Sequence, residues 1–263
     1  MYSEEHKRFL KKIRRTHIFV FLTQLLIIIS FLGIWQLLAH LEVINTFISS
    51  SPKAILDTIV GLYLDNNLWN HIGITVYETI ISFLLGTFIG TVIASILWWF
   101  PFLAKVLDPY LTILNSLPKV ALGPIIIIWA GAGMNSIILM ALLISVIITI
   151  INVYQGFIET DPNKIKLMKA FRATKWQIFS KLILPSTKPT IINALKINVS
   201  MSLIGVIMGE FLVSKEGIGY LIMYGSQVFN LDLVMAGVII LCIVATIMYY
   251  CVSWIEKRLI KNV

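Results

Sequence analysis

Cysteine and charge are both scarce in this chain: 2 of its 263 residues are Cys, and 13% are Asp, Glu, Lys or Arg. Cys242 and Cys251 stand nine positions apart, about 13 Å along a helix, which is too far for a disulfide within that helix. Both are expected to be packing residues. No Gly-Lys dipeptide occurs anywhere, so the chain has no loop in which backbone amides and a lysine cradle nucleotide phosphates. The sequence pattern shows no HExxH, GxSxG, paired-carboxylate constellation or metal-ligand spacing, and His6, His17, His40 and His71 fall near the ends of apolar stretches or in the N-terminal tail, where such side chains are usually solvated. These absences exclude the common nucleotide-hydrolysing and metallo-enzyme designs. No catalytic residue and no metal ligand is expected.

What the chain has in abundance is apolar surface. Hydrophobic residues make up 58% of it and the mean hydropathy is +0.90, more than a water-soluble domain of this size could bury. A bilayer core of about 30 Å needs about 20 apolar residues per helix. Six stretches qualify, at 17–41, 71–99, 106–131, 135–157, 190–213 and 230–254. In hydrocarbon the backbone must satisfy its own hydrogen bonds, so continuous runs rich in Ile and Leu become helices despite their β propensity in water. The expected fold class is an all-α membrane protein with six transmembrane helices.

Orientation follows from where the cations fall. Seventeen of the 21 Lys and Arg residues lie on one face: six in residues 1–15, Lys105, seven in the 158–189 loop, and Lys257, Arg258 and Lys261 in the tail. Lys53 and Lys215 alone fall on the other face. Both termini and the 158–189 loop are therefore expected in the cytoplasm, and the net charge of +8 reflects topology rather than a nucleic-acid footprint. The first apolar stretch is about 24 residues long and no A-x-A site follows, so it reads as an uncleaved span rather than a secretory signal.

Local signals refine this plan. Ser51-Pro52 forms an N-cap followed by a first-turn proline, opening a short amphipathic helix to about Leu64, with Ile55, Ile59 and Leu62 on one side, expected to lie along the outer membrane surface. Gly86/Gly90 and Gly205/Gly209 are GxxxG pairs that allow close helix approach, most simply as ordinary bundle packing. Pro118 and Pro124 interrupt the third apolar stretch, NSLPKVALGPIIIIWAGAG. A break at membrane depth is tolerated where it faces protein or a water-lined path, which makes this segment a candidate lining. Glu78, Lys119 and Glu210 lie within or near spans, where a charge is costly. Each reads either as functional or as a structural ion pair or headgroup contact, and Lys196 as a snorkelling residue.

The 158–189 loop holds the strongest functional signal. Asp161-Pro162 is a helix start, followed by Ile165, Met168 and Phe171 or Arg172 on one face. The chain is expected to bend near Ala173-Thr174, and a second helix with Trp176, Phe179, Leu182 and Ile183 as its stripe then runs to Pro185. Two short helices at an angle make a basic knob suited to a soluble partner. Periodicity alone is equally compatible with a basic hairpin lying on anionic headgroups.

TKWQIFSKLILPSTKPTIINALKI resembles the cytoplasmic signature of bacterial ABC importer permeases, the EAA loop. Ile183-Leu184-Pro185 and Trp176 match its pattern. The front half departs, with Lys166, Leu167 and Met168 at the Glu-Ala-Ala positions and Arg172 in place of a glycine. The tight turn favoured by that glycine is expected to be formed by other residues. LDPYLTILNSLPKVALGPIIIIWAGAG and GEFLVSKEGIGYLI, with Glu210, Gly217 and Gly219 in place, resemble segments of the nitrate/sulfonate/taurine-type permeases. Glu78 is a further departure, standing where many relatives carry Arg.

The likeness extends over about residues 51–256. It implies a type I ABC importer permease (MetI-like) fold with cytoplasmic coupling helices, divided into a basic N-terminus (1–15), a first span with an outer helix (16–70), a core (71–256) containing the coupling loop, and a tail (257–263). It further implies a bacterial cell-membrane location, a second permease copy, cytoplasmic ATPases that bind ATP and Mg outside this chain, a binding protein that delivers the solute, and lipid contacts. Asp161, Met168, Phe171, Arg172, Ala173, Trp176, Phe179 and Pro185 are the expected ATPase-coupling residues. Asn115, Ser116, Pro118, Ser145, Met208 and Glu210 are the expected path residues. The solute would be a sulfonate-, nitrate- or taurine-like anion or a small organic such as a vitamin precursor. An ATP-independent secondary transporter or channel, and a membrane scaffold without transport, are the rival readings.

Overall fold

The computed structural model describes residues 4–65 and 67–260. Expectations for residues 1–3 and 261–263, Lys261 among them, lie outside the described residues, as do those for the side chains of Lys7, Arg8, Lys11, Lys12 and Arg14. Every regular element described is helical. α1 (Glu4–His40) is followed by the single turn α2 (Thr46–Ser49) and by α3 (Pro52–Leu64). Ser51 caps α3 as expected, its hydroxyl accepting from the Ala54 amide at 3.3 Å. Ile55 is buried, and Ile59 and Leu62 pack into the same apolar cluster as residues of the last span. α3 is thus docked on the bundle by the predicted face.

The core is built on α4 (Leu68–Trp99), α7 (Met134–Ile158) and α11 (Lys188–Val213), closed by α13 (Leu231–Ile260). Between α4 and α7 run α5 (Pro101–Ser116), a 3-10 turn (Lys119–Leu122) and α6 (Gly123–Ala130); between α11 and α13 lies α12 (Ile218–Gln227). Five helices are long and apolar enough to cross a membrane. The third apolar stretch is broken, as its prolines led one to expect, and its two halves meet at 90°. The break itself is local, since Pro118 cannot donate a backbone hydrogen bond and disfavours helix at Leu117, which takes extended φ/ψ of −64° and 137°. Counted as one bent span, the pair brings the total to six.

The glycine pairs explain why the three central helices come so close. A Cβ on Gly86 or Gly90 would strike Ser145 or Thr149, and one on Gly205 or Gly209 would strike the backbone of Ala141 or Ile137. Both pairs therefore meet successive turns of the same helix, α7: Ile137 and Ala141 against α11, Ser145 and Thr149 against α4. A polar seam crosses this interface, where Asn198 donates to the Thr87 and Thr149 hydroxyls at 2.8 and 2.5 Å. α1 stands at the margin, exposed along most of its length and touching α3, where Gln36 accepts from the Lys53 amide at 3.0 Å.

Four side chains differ from expectation. Cys242 and Cys251 are exposed rather than packed. Lys196 forms an ion pair with Glu256 instead of snorkelling freely. His71, expected in solvent, is buried and accepts a hydrogen bond from the Gly217 amide at 2.9 Å.

Candidate functional site

The 158–189 segment folds as a knob at one end of the bundle. α8 (Pro162–Ala170) begins at Asp161, whose carboxylate accepts from the Asn163 amide at 2.8 Å. The bend falls at Arg172, and α9 (Lys175–Ile178) starts behind it with a capping box: the Gln177 amide donates to the Thr174 hydroxyl and the Thr174 amide to the Gln177 side chain. One π turn (Phe179–Ile183) and α10 (Leu184–Ser186) then lead into α11. Pro185 has no amide to give, and the Ser186 and Thr187 hydroxyls take up the Ile183 carbonyl at 2.9 and 2.8 Å.

Arg172 itself takes the left-handed conformation, with φ 54°. That corrects the expectation that other residues would form the turn; the backbone keeps the geometry glycine prefers and Arg bears the strain. A left-handed non-glycine residue costs about 1–2 kcal/mol. Arg172→Gly is accordingly expected to raise the thermal unfolding midpoint of the purified protein by a degree or so, where a substitution at an ordinary surface arginine would leave it unchanged.

The knob is fixed from beneath by aromatic side chains. Phe179 is buried and meets Trp98 with ring centroids 5.0 Å apart, Phe157 at 5.7 Å, Trp176 at 6.2 Å and Trp99 at 6.3 Å. Lys175 lies over the Trp98 and Trp99 rings at 5.7 and 5.1 Å and donates to the Trp99 carbonyl. Met168, Ala173 and Ile165 pack against the same cluster. Trp98 and Trp99 of α4 and Phe157 of α7 thus meet on one side chain, and Ala194 and Ile191 of α11 join the same cluster, so the knob is packed against three core helices.

The outward face is different in character. Phe171 is 76% exposed, Trp176 63% and Leu167 58%, surrounded by the exposed cations Lys164, Lys166, Lys169, Arg172 and Lys175. Large apolar side chains inside a polar rim mark an interaction surface. Of the expected coupling residues, Met168, Ala173 and Phe179 face inward, Pro185 is half-buried, and Asp161, Phe171, Arg172 and Trp176 face outward. Leu167 was missed, although its spacing of four from Phe171 was a visible signal. Trp98 and Trp99 were missed too, and the aromatic run WWFPF at the end of a span could have revealed them.

At the opposite end a second construction holds the chain between α11 and α12. Glu210, 1% exposed, accepts from the Thr75 hydroxyl at 2.6 Å and from the Gly219 amide at 2.5 Å. Thr75 in turn accepts from the Ile218 amide at 2.8 Å. The free amides at the start of α12 are thereby capped by side chains of α4 and α11. Gly217, at φ 104°, and Gly219 leave room for the Glu210 carboxyl group, which a Cβ on either would strike.

The expected path residues do not converge. Asn115, Ser116 and Pro118 are exposed at the 90° bend, where the Lys119 ammonium donates to the Asn115 carbonyl at 2.8 Å. Met208 is half-buried, Glu210 has the capping contacts above, and Ser145 is buried against Gly86 with its hydroxyl on the Ala141 carbonyl at 2.9 Å.

Comparison with known proteins agrees with this geometry. Residues 82–261 match the family model described as the binding-protein-dependent transport system inner membrane component. An ABC transporter permease protein of Haemophilus influenzae is 32% identical over 92% of this chain and 98% of its own length. The aliphatic sulfonates transport permease SsuC of Bacillus subtilis is 29% identical over 88% of this chain and 83% of its own. The formylaminopyrimidine transport permease ThiX of Halalkalibacterium halodurans is 26% identical over 86% and 90%. Among solved structures, a bacterial ABC transporter involved in import of the polysaccharide alginate overlays with a TM-score of 0.64 at 16% identity, covering 95% of this chain and 99% of that one. The MetNI methionine ABC transporter, in an inward-facing conformation, overlays at 0.60 and 18% identity, covering 76% and 95%. A basic knob clamped to three core helices, the bent third span and a relative that matches nearly end to end lead to one conclusion: this chain belongs to the family of inner-membrane components of binding-protein-dependent transport systems, as a multi-pass permease of the ABC importer class.

Proposed function

We propose that the knob is the seat of a cytoplasmic ATPase and that this chain forms, with a second copy of itself, the translocation path for a small solute handed over by a binding protein. In this reading the termini and the 158–189 loop face the cytoplasm, as the concentration of 17 of the 21 basic residues on that side favours. ATP and Mg belong to the partner ATPase, and this chain is not an enzyme. Leu167, Phe171, Arg172 and Trp176 enter a groove of the ATPase, with Asp161 at the rim. Met168, Ala173, Phe179 and Pro185 join the knob to the bundle. The exposed apolar belt of α1 and α13 contacts lipid.

Closure of two ATPases around ATP moves the paired knobs, and Phe179 passes the motion to α4, α7 and α11, turning the route outward; hydrolysis resets it. Asn115, Ser116 and Pro118 at the bend and Met208 border that route, while Ser145 and Glu210 hold the helices that frame it. The solutes named for relatives, aliphatic sulfonates and formylaminopyrimidine, give the size class expected here.

The observation that carries this reading is the exposed Phe171–Trp176 surface backed by a rigid aromatic cluster. A hairpin made for headgroups would need no such backing. Proteoliposomes holding permease, ATPase and binding protein are expected to accumulate solute with ATP inside, and to lose that uptake when hydrolysis is blocked. Undiminished uptake without the ATPase would establish the secondary-transporter reading instead.

A further inference from the structure

At the end of the bundle placed outside by the reading above, a cavity of about 790 Å³ opens between α4, the 131–133 loop, the start of α7 and the end of α11; Tyr77, Glu78, Met134, Ile137, Ser214 and Lys215 contribute to its wall. Glu78 is 3% exposed. Its carboxyl group lies within hydrogen-bonding reach of that of Glu210, but the two differ in what satisfies them. Glu210 has the Thr75 hydroxyl and the Gly219 amide. Glu78 Oε2 has no donor at all.

No basic side chain among the described residues pairs with either carboxyl group. Lys215 is exposed at the rim, with Glu216 beside it. A buried acceptor left bare in an apolar wall is costly, and the chain does not supply the missing donor. Something that enters the cavity can. An anionic group there would bring one more acceptor to an acceptor that already lacks a donor. A nitrogen donor bearing positive charge would satisfy Glu78 Oε2, and Tyr77 in the same wall offers it a ring face.

We propose that Glu78 is the recognition group of a solute site in this cavity, and that the solute presents a cationic nitrogen, an ammonium or an amidine-like amino-heterocycle. This rests on the permease reading and narrows its substrate class: a purely anionic sulfonate does not fit, whereas a zwitterion or an aminopyrimidine does. Glu210 is a positioning residue, holding the 217–219 segment and setting the field beside Glu78.

The test uses the permease–ATPase complex in nanodiscs without binding protein, so that the cavity is the solute site under observation. Taurine, ethanesulfonate and 4-aminopyrimidine are titrated and binding is read by calorimetry; taurine differs from ethanesulfonate by its ammonium group alone. The nitrogen-bearing probes are expected to bind and ethanesulfonate not. E78Q should weaken binding at least tenfold, while K215Q should leave it intact or strengthen it. Equal binding of ethanesulfonate, failure of both nitrogen probes, or a reversed pattern in which K215Q weakens binding and E78Q does not, would overturn the assignment. So would an E78Q variant that changes only the thermal midpoint, since the carboxyl pair would then be satisfied by a proton of its own. These failures are separable from failure of the permease reading, which would appear as a permease that does not retain the ATPase at all.

Discussion

Gly205→Val is expected to abolish the folded bundle. Gly205 brings α11 against the backbone of α7, and a Cβ there would overlap the Cα of Ala141 itself rather than the end of a flexible side chain. Neither helix can yield independently: one and two turns further along, α7 is gripped by Gly86 and Gly90 of α4, and Asn198 ties all three through Thr87 and Thr149. Helix association in lipid depends on such close packing, because no hydrophobic force drives it. Over-packing typically costs 1–3 kcal/mol, and a backbone collision shared by two long helices should reach at least about 3 kcal/mol, enough to remove most of a marginal stability. Size-exclusion chromatography after detergent extraction should show little monodisperse protein. Gly61→Ala and Gly73→Ala, whose new Cβ would meet nothing within 4 Å, should behave as wild type.

Phe171→Ala combined with Leu167→Ala should leave the protein folded and separate it from its ATPase. Both side chains are mostly exposed, and neither belongs to the aromatic cluster below, so their removal costs the isolated permease little. Buried aromatic anchors supply a disproportionate share of interface energy, often 2 kcal/mol or more each. Retention of the ATPase during co-purification should therefore fall at least tenfold and uptake with it. Trp176→Ala should act in the same direction with an added loss of stability, because Trp176 also meets Phe179 and Trp99. Arg172→Glu should weaken the grip through charge reversal at the same surface.

The fold was legible where the physics is one-dimensional. Apolar length alone located the spans, Ser51-Pro52 and Asp161-Pro162 marked helix starts that the structure caps as expected, and Gly86, Gly90, Gly205 and Gly209 marked the close contacts. That both pairs bind the same helix was not legible, because spacing tells that a helix approaches and not which one. The bend at Pro118 was readable as a break, but its 90° angle depends on the packing of α6 across the bundle. In the knob, periodicity found the apolar positions without telling inward from outward: Met168 and Phe179 pack beneath, while Phe171 and Trp176 face away. Arg172 shows the limit of pattern matching, since an unfavourable residue keeps the backbone geometry when its neighbours are firmly held. His71, Thr75 and Glu210 are separated by up to 139 residues along the chain, so only the folded chain could show that they clasp the 217–219 segment.

The central claim is that the outward face of the knob is gripped by an ATPase. Hydrogen–deuterium exchange of residues 161–179 in nanodiscs, measured with and without the ATPase, tests it most directly. Slowed exchange through α8 and α9 on adding the ATPase, with α3 unchanged, is the predicted result. Exchange that does not change with the ATPase, yet slows on adding anionic lipid, would contradict the account and make the knob a headgroup anchor.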